Sequence, residues 1–308
     1  GGNNAVTIGL DGGITIAGGA GGVGAQGGNS TATNNNGGTG GVGGAGGTGI
    51  SAANFETINI VSTGSSANAI AGGAGGAGGT GGTGSGNGTT GASGAAGAAG
   101  SSIVINTNGT INVSGTRDIN IGTVSGTNLT VNASTFTGKL TVTGEAGNNS
   151  ITGGSKVDTI NGGAGRDTLT GNGGNDIFAF TDNESTTAAS DSITDFALNG
   201  DVIRLVAADN VAGASATGGT TATNNVQVAT GGKVTFAEAD DTLAEKLVAL
   251  AADTTDIAAN EVVFFEQGSD TYIFNNVGGT DDLIKLTGVS GATTLTESTV
   301  TAGDFTLA

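Results

Sequence analysis

Residues 144–179 read GEAGNNSIT, GGSKVDTIN, GGAGRDTLT and GNGGNDIFA, four nonapeptides with no residue between them. The sixth position holds Asn149, Asp158, Asp167 and Asp176 in turn, and the eighth holds Ile151, Ile160, Leu169 and Phe178. Each copy reads as a glycine turn followed by a short strand, with the eighth-position side chain pointing inward and stacking on its counterparts. Turn glycines reach backbone conformations that aim carbonyl oxygens at a common point. The sixth residue adds a side-chain oxygen, so the pattern offers an oxygen-only donor set once per turn.

Composition narrows what such a set can hold. The chain has 308 residues, 26 acidic and 8 basic, and contains no histidine, cysteine, methionine, tryptophan or proline. Zinc and copper sites lean on the two missing ligand types, whereas calcium takes six to eight oxygens. A net charge of −18 argues against nucleic acid as a partner, which needs basic patches, and against anionic membrane surfaces. No run approaches the length of a membrane span. No histidine can serve a zinc protease motif or a serine triad. The acids fall in turns and surface loops without an aromatic sugar platform, so the chain is read as not an enzyme.

The 64 glycines are about three times the usual share. Residues 18–29, 37–48, 72–83 and 88–102 carry glycine every third residue, between β-branched runs at 5–8, 14–17 and 56–61. A period of three fits neither helix nor strand but fits a threefold extended helix. Such a helix has no internal hydrogen bonds, so neighbours must satisfy its amides, and only glycine allows the close approach. The expectation is a bundle of about four antiparallel polyglycine II helices, with a turn at 29–36. It resembles the bundles of glycine-rich antifreeze proteins and some phage adhesins. Residues 103–143 carry short strands at spacings near ten, with Asn108-Gly109 as an expected hairpin turn. Further on, Thr242 and Glu245 have capping-box spacing ahead of an apolar helical face at 243–251, and 261–276 reads as a hairpin around Gln267–Asp270.

The nonapeptides match G-G-x-G-x-D-x-U-x, with U a large apolar residue, and resemble the parallel β-roll of the repeats-in-toxin (RTX) family. The resemblance implies calcium as the cofactor. It implies Asp158, Asp167 and Asp176 as ligands, with Gly153, Gly162 and Gly171 supplying loop carbonyls and Asn149 a neutral oxygen at the capping end. Lys156 stands where the second copy should have glycine. The family's closing segment, D-x-I-x-D-F-x-x-G-D-x-I-x-L, reappears from Asp191 to Leu205. It makes Asp195 a further ligand and Asp191 a weaker one, for two or three ions in all. Residues 130–154 and 262–308 resemble parts of alphaproteobacterial surface-layer (S-layer) proteins, whose C-terminal end includes a type I secretion signal.

The expected fold is all-β. A polyglycine II domain (1–102) precedes a strand or solenoid region (103–143), the calcium β-roll (144–180) and a β-rich C-terminal domain with a helix near 242–252 and the secretion signal (181–308). The expected function is a secreted, extracellular protein of a bacterial cell surface that folds on calcium and self-assembles as a homo-oligomeric lattice or filament. A surface polysaccharide is the candidate anchor. The alternative is a calcium-dependent adhesin or ice-binding module using the polyglycine II face.

Overall fold

The computed structural model describes residues 5–30, 36–85, 87–205, 210–212, 226–236, 242–252, 257–277, 280–299 and 301–308. Two parallel sheets wind through it as one solenoid. Coil one contains β1 (Ala5–Asp11), β2 (Thr15–Ala17) and β3 (Ile50–Ala52); coil two contains β4 (Thr57–Thr63), β5 (Asn68–Ala71) and β6 (Ile103–Ile105). Coil three has β7 (Thr110–Gly115) and β8 (Ile119–Ser125), and coil four β9 (Thr130–Asn132) and β10 (Leu140–Gly144). The nonapeptides give β11 (Ser150–Thr152), β12 (Thr159–Asn161), β13 (Thr168–Thr170) and β14 (Ile177–Ala179), and β15 (Asp191–Ile193) and β16 (Val202–Arg204) follow.

Odd and even members of this later series separate into the two sheets. The first sheet runs β1-β4-β7-β9-β11-β13-β15, and the second runs β2-β5-β8-β10-β12-β14-β16 with β3 and β6 beside it. Pairs Thr57↔Thr110, Thr110↔Thr130 and Ser150↔Thr168 mark coil steps of 53, 20 and 18 residues. Two nonapeptides therefore make one turn, and consecutive copies face each other across the core. Ile151 and Leu169 come from one sheet, Ile160 and Phe178 from the other, and all four are buried. The sheets pass through residues 102, 143 and 180 without a break.

The long steps of the first two coils come from glycine. Between β2 and β3, and again between β5 and β6, the chain leaves the sheets as two extended segments, giving four: 18–30, 37–49, 72–84 and 88–101. In segments one, three and four every third amide donates to a neighbouring segment, and in segment two both glycines of each triplet do. Gly21 and Gly24 donate to Ala74 and Ala77, and Gly41 and Gly44 to Ala25 and Gly22; Gly43 donates to Ala95, Gly76 to Gly44 and Gly94 to Gly79. The direction of these ladders makes segments one and three parallel, two and four parallel, and one–two, two–three and three–four antiparallel. A Cβ on Gly76 would overlap the carbonyl of Gly22, and one on Gly43 the carbonyl of Gly76, so the contact is backbone against backbone. The turn expected at 29–36 falls largely on residues outside the described ones.

Asn108-Gly109 is a correction. Its flanking strands β6 and β7 lie in different sheets and do not pair with each other. The dipeptide turns a corner between sheets. Asn108 takes a left-handed φ of 59° there, which suits this corner as well as a hairpin.

Mostly antiparallel strands close the far end. They are β17 (Asn210–Val211), β18 (Val226–Val228), β19 (Val234–Phe236), β20 (Glu261–Gln267), β21 (Asp270–Asn276), β22 (Asp282–Leu286), β23 (Leu295–Glu297) and β24 (Asp304–Leu307), with α1 (Leu243–Ala252) between β19 and β20. β17 is parallel to β20, and β15 pairs with β22 and β16 with β24. The β20–β21 hairpin is apolar on both faces: Phe264 and Ile273 pack on the solenoid core, Phe265 and Tyr272 on a second core under α1. Burial on both sides explains the unbroken run Val262–Phe265. Thr242 and Glu245 cap α1 reciprocally, with Glu245 N–H to Thr242 Oγ1 at 3.2 Å and Thr242 N–H to Glu245 Oε2 at 3.0 Å.

Candidate metal centre

Each nonapeptide strand begins one residue after its sixth position, which places the sixth side chain at the edge where a turn enters the sheet. Stacking the coils then lines those side chains into two ladders. In the first, Leu140 N–H donates to Asp158 Oδ1 (2.7 Å), Asp158 N–H to Asp176 Oδ1 (2.7 Å) and Asp176 N–H to Asp201 Oδ1 (2.8 Å). In the second, Leu129 N–H donates to Asn149 Oδ1 (2.8 Å), Asn149 N–H to Asp167 Oδ1 (2.7 Å) and Asp167 N–H to Asp191 Oδ1 (2.7 Å). One oxygen of each side chain thus ties its coil to the previous one.

The other oxygen is less well served. Asp167 Oδ2 and Asp191 Oδ2 are buried without a hydrogen-bond partner. The opening glycines fit beneath these carboxylates: a Cβ on Gly153 would lie 2.5 Å from Asp158 Oδ2, and those on Gly162 and Gly171 would crowd Asp167 Oδ2 and Asp176 Oδ2 more closely. Asn149 differs, because its amide donates to the Gly162 carbonyl at 3.1 Å. It carries its own donor where the aspartates have none, which suits the end of a ladder.

Asp158, Asp167, Asp176, Asp191 and Asp201 are all buried, and among the described residues none forms an ion pair within 4.0 Å. Desolvation therefore dominates their titration. It raises Asp167 and Asp176 to about 6 and Asp191 to about 8, and raises Asp158 and Asp201 as well. Neighbouring carboxylates add to the rise at Asp176 and Asp191. A cation held beside these carboxylates would offset that repulsion and favour the charged form.

Asp158 and Asp176 share one ladder with Gly153 and Gly171; Asn149 and Asp167 share the other with Gly162. Asp195 is in neither ladder. It accepts N–H bonds from Gly171 (2.9 Å) and Asn172 (2.7 Å) at the previous turn. Sequence reasoning named Asp201 only as part of the closing segment and Asp191 as a weaker ligand; in the structure both accept the N–H of a sixth-position aspartate. Both sit two residues before an inward isoleucine, like the sixth-position aspartates, and that D-x-U spacing was the available signal. Asp282 shares it with Ile284, is buried, and accepts Asn183 N–H at 2.9 Å.

The second copy does turn differently. The fourth residues of the other copies, Gly147, Gly165 and Gly174, have φ of 111°, 132° and 141°, and Lys156 does not join them. Asp158 Oδ2 there accepts the N–H of Gly154, so this carboxylate is satisfied locally.

Among the described residues no three acidic side chains gather at one point. The acids are strung along two edges, and an ion between coils would need backbone carbonyls to fill its shell. Orphaned buried carboxylate oxygens, glycine cradles and an all-oxygen donor set fit a hard cation.

Residues 143–178 match the family model of the RTX calcium-binding nonapeptide repeat, in four copies. No curated protein matches the chain. The repeat block is thus a calcium-binding RTX β-roll within a nearly all-β chain. Proteins with this repeat are typically extracellular, and the repeat itself is a calcium-binding structural unit rather than a catalytic one. Among the described residues no helix is long and apolar enough to cross a membrane.

Proposed function

We propose that this chain is a secreted structural protein that folds on calcium and self-assembles into an S-layer or filament on a bacterial surface. The observation that carries the reading is the pair of buried, uncompensated aspartate ladders inside a continuous solenoid. Without a cation the coils stack against carboxylate desolvation and repulsion; calcium, when bound, supplies the missing positive charge. Asp158, Asp176 and Asp201 with Asp195 nearby, and Asp167 with Asp191, are the groups that would hold it. Low calcium would keep the chain unfolded for export and high calcium outside would fold it.

The four glycine segments are read as polyglycine II helices, since their three-residue hydrogen-bond period is the one that helix requires. The closing TAGDFTLA stretch is read as the end of a type I signal that becomes β24 once outside. Phe305 and Leu307 there are buried, which supports a signal used unfolded and later absorbed into the cap. Negative-stain microscopy tests the assembly. Sheets or fibres with calcium that disperse in chelator are expected; dispersed particles in both conditions would overturn the reading.

One observation favours the alternative, a surface for ice or adhesion. The outer face of the first sheet carries two ranks in register, Thr57–Thr110–Thr130–Ser150–Thr168–Ser192 and Asn59–Asn112–Asn132–Thr152–Thr170. This places the regular hydroxyl and amide array on a sheet face rather than on the glycine bundle. Ice-crystal shaping by dispersed protein would favour it over assembly.

A further inference from the structure

The second aspartate ladder finishes on a hydroxyl. Asp191 N–H donates to Ser185 Oγ (2.8 Å), and that hydroxyl donates to the Leu283 carbonyl (2.7 Å). A serine thus stands where the next carboxylate of the ladder would be. The chain arrives there by a longer path. Asn149 and Asp167 are 18 residues apart, whereas Asp167 and Asp191 are 24 apart. The loop between β14 and β15 takes up the difference, and its residues 180–190 read FTDNESTTAAS, without a glycine. The residues that elsewhere turn carbonyls toward a common point are therefore missing on this side of Asp167.

Glu184 lies in that loop, half-buried. Its Oε2 accepts the N–H of Thr181 (2.7 Å) and the side-chain amide of Asn161 (3.0 Å). Asn161 directly precedes the third nonapeptide loop, 162–167, and the Glu184 carbonyl accepts Gly165 N–H in the same loop at 3.4 Å. On its other side, Ser185 holds Asp191. Glu184 is thus fixed between the loop that carries Asp167 and the residue that carries the ladder onward. Arg166 ties the two loops again by donating to the Ala188 carbonyl at 3.0 Å. Among the described residues Glu184 forms no ion pair, and no hydrogen bond uses its Oε1. The partnerless aspartate oxygens fall at this same place. They are Asp167 Oδ2 and Asp191 Oδ2, whereas in the first ladder Asp158 Oδ2 accepts Gly154 N–H and Asp201 Oδ2 accepts Ala197 N–H. Glu184 also adds its charge to the rise at both Asp167 and Asp191.

We propose that Glu184 is the third carboxylate of a calcium site between loops 162–167 and 180–190, adding its Oε1 to a shell begun by Asp167 Oδ2 and Asp191 Oδ2. Its side-chain oxygen takes the place of the glycine-turn carbonyls absent from 180–190. The three carboxylates do not converge on one point as they stand. The two aspartates are each pinned by a ladder bond through Oδ1, and Glu184, longer and held through one oxygen, is the member that moves to close the shell. The interval then carries three negative charges where the Asn149–Asp167 interval carries one, and calcium affinity follows ligand charge. The inference rests on the ladder aspartates as calcium ligands and adds a residue outside both the nonapeptides and their closing segment.

Equilibrium dialysis of the full chain against a series of free calcium concentrations, with bound calcium counted per chain, tests it. Glu184→Gln keeps the shape and an acceptor for Thr181 N–H. It is expected to hold one ion fewer than the wild type across about a tenfold range of free calcium, with the same circular dichroism spectrum in saturating calcium. Asp182→Asn removes an equal charge from an exposed position of the same loop and should bind as the wild type does. Glu184→Asp keeps the charge but shortens the arm, and is expected to weaken the same ion; it decides the matter if Glu184→Gln does not fold. Wild-type binding by both Glu184 variants, or equal weakening by Asp182→Asn, would overturn the role of Glu184 and leave the ladders standing. A wild type that binds no calcium would remove the ladders as well.

Discussion

The glycine half and the acidic roll solve one problem in opposite ways. Both must stack coils of chain so closely that glycines at the contact leave no room for a Cβ. In residues 18–101 the contact is amide to carbonyl and neutral. In residues 144–205 each coil is tied to the previous one by a buried carboxylate that has no cationic partner. The first arrangement is set by backbone sterics alone. The second depends on what is dissolved outside. Coil length follows: 53 residues per step where glycine segments leave the sheets, and 18 where two nonapeptides close a turn.

The largest way to break the comparison is steric. Gly76→Val places its side chain on the Gly22 carbonyl, where both neighbours are backbone and neither can turn aside. Overpacking of this kind costs about 1–3 kcal/mol or more. The loss, read by thermal melting, is expected to be as large with calcium as in chelator.

A smaller effect separates the halves by pH. A carboxyl whose folded pKa lies above its unfolded value favours the folded state while protonated, so stability falls as pH rises between the two. In chelator, melting temperature should decline as pH rises above the ordinary carboxylate value of 3.8, the part due to Asp167 and Asp176 ending near 6 and the part due to Asp191 continuing to about 8. Asp191→Asn should remove the upper part of that decline. The shift belongs to the roll, because residues 1–116 contain only Asp11 and Glu56 as acids.

Much of this was legible in the sequence, for physical reasons that differ by region. Ile151, Ile160, Leu169 and Phe178 are inward because an invariant spacing fixes their side of each strand. Glycine every third residue announced the bundle because no other residue fits its contacts. What stayed hidden was connectivity. Thr57-Ile58-Asn59-Ile60 and Thr110-Ile111-Asn112-Val113 are near repeats 53 residues apart, and noticing them would have revealed the glycine segments as excursions from a solenoid that continues into the roll. Asn108-Gly109 misled because a left-handed asparagine serves a corner and a hairpin alike. Asp201 was missed because it lies outside the nonapeptide block, although its ladder is built from the same D-x-U unit.

Segment-resolved hydrogen exchange, with calcium and then with chelator, tests the central claim most directly. The account predicts that chelation strips protection from amides in 144–205, including those of Asn149, Asp158, Asp167 and Asp176 bonded to the next carboxylate, while the amides of Gly73, Gly76, Gly79, Gly94 and Gly97 keep theirs. Equal loss in both regions, or no change in the roll, would contradict it.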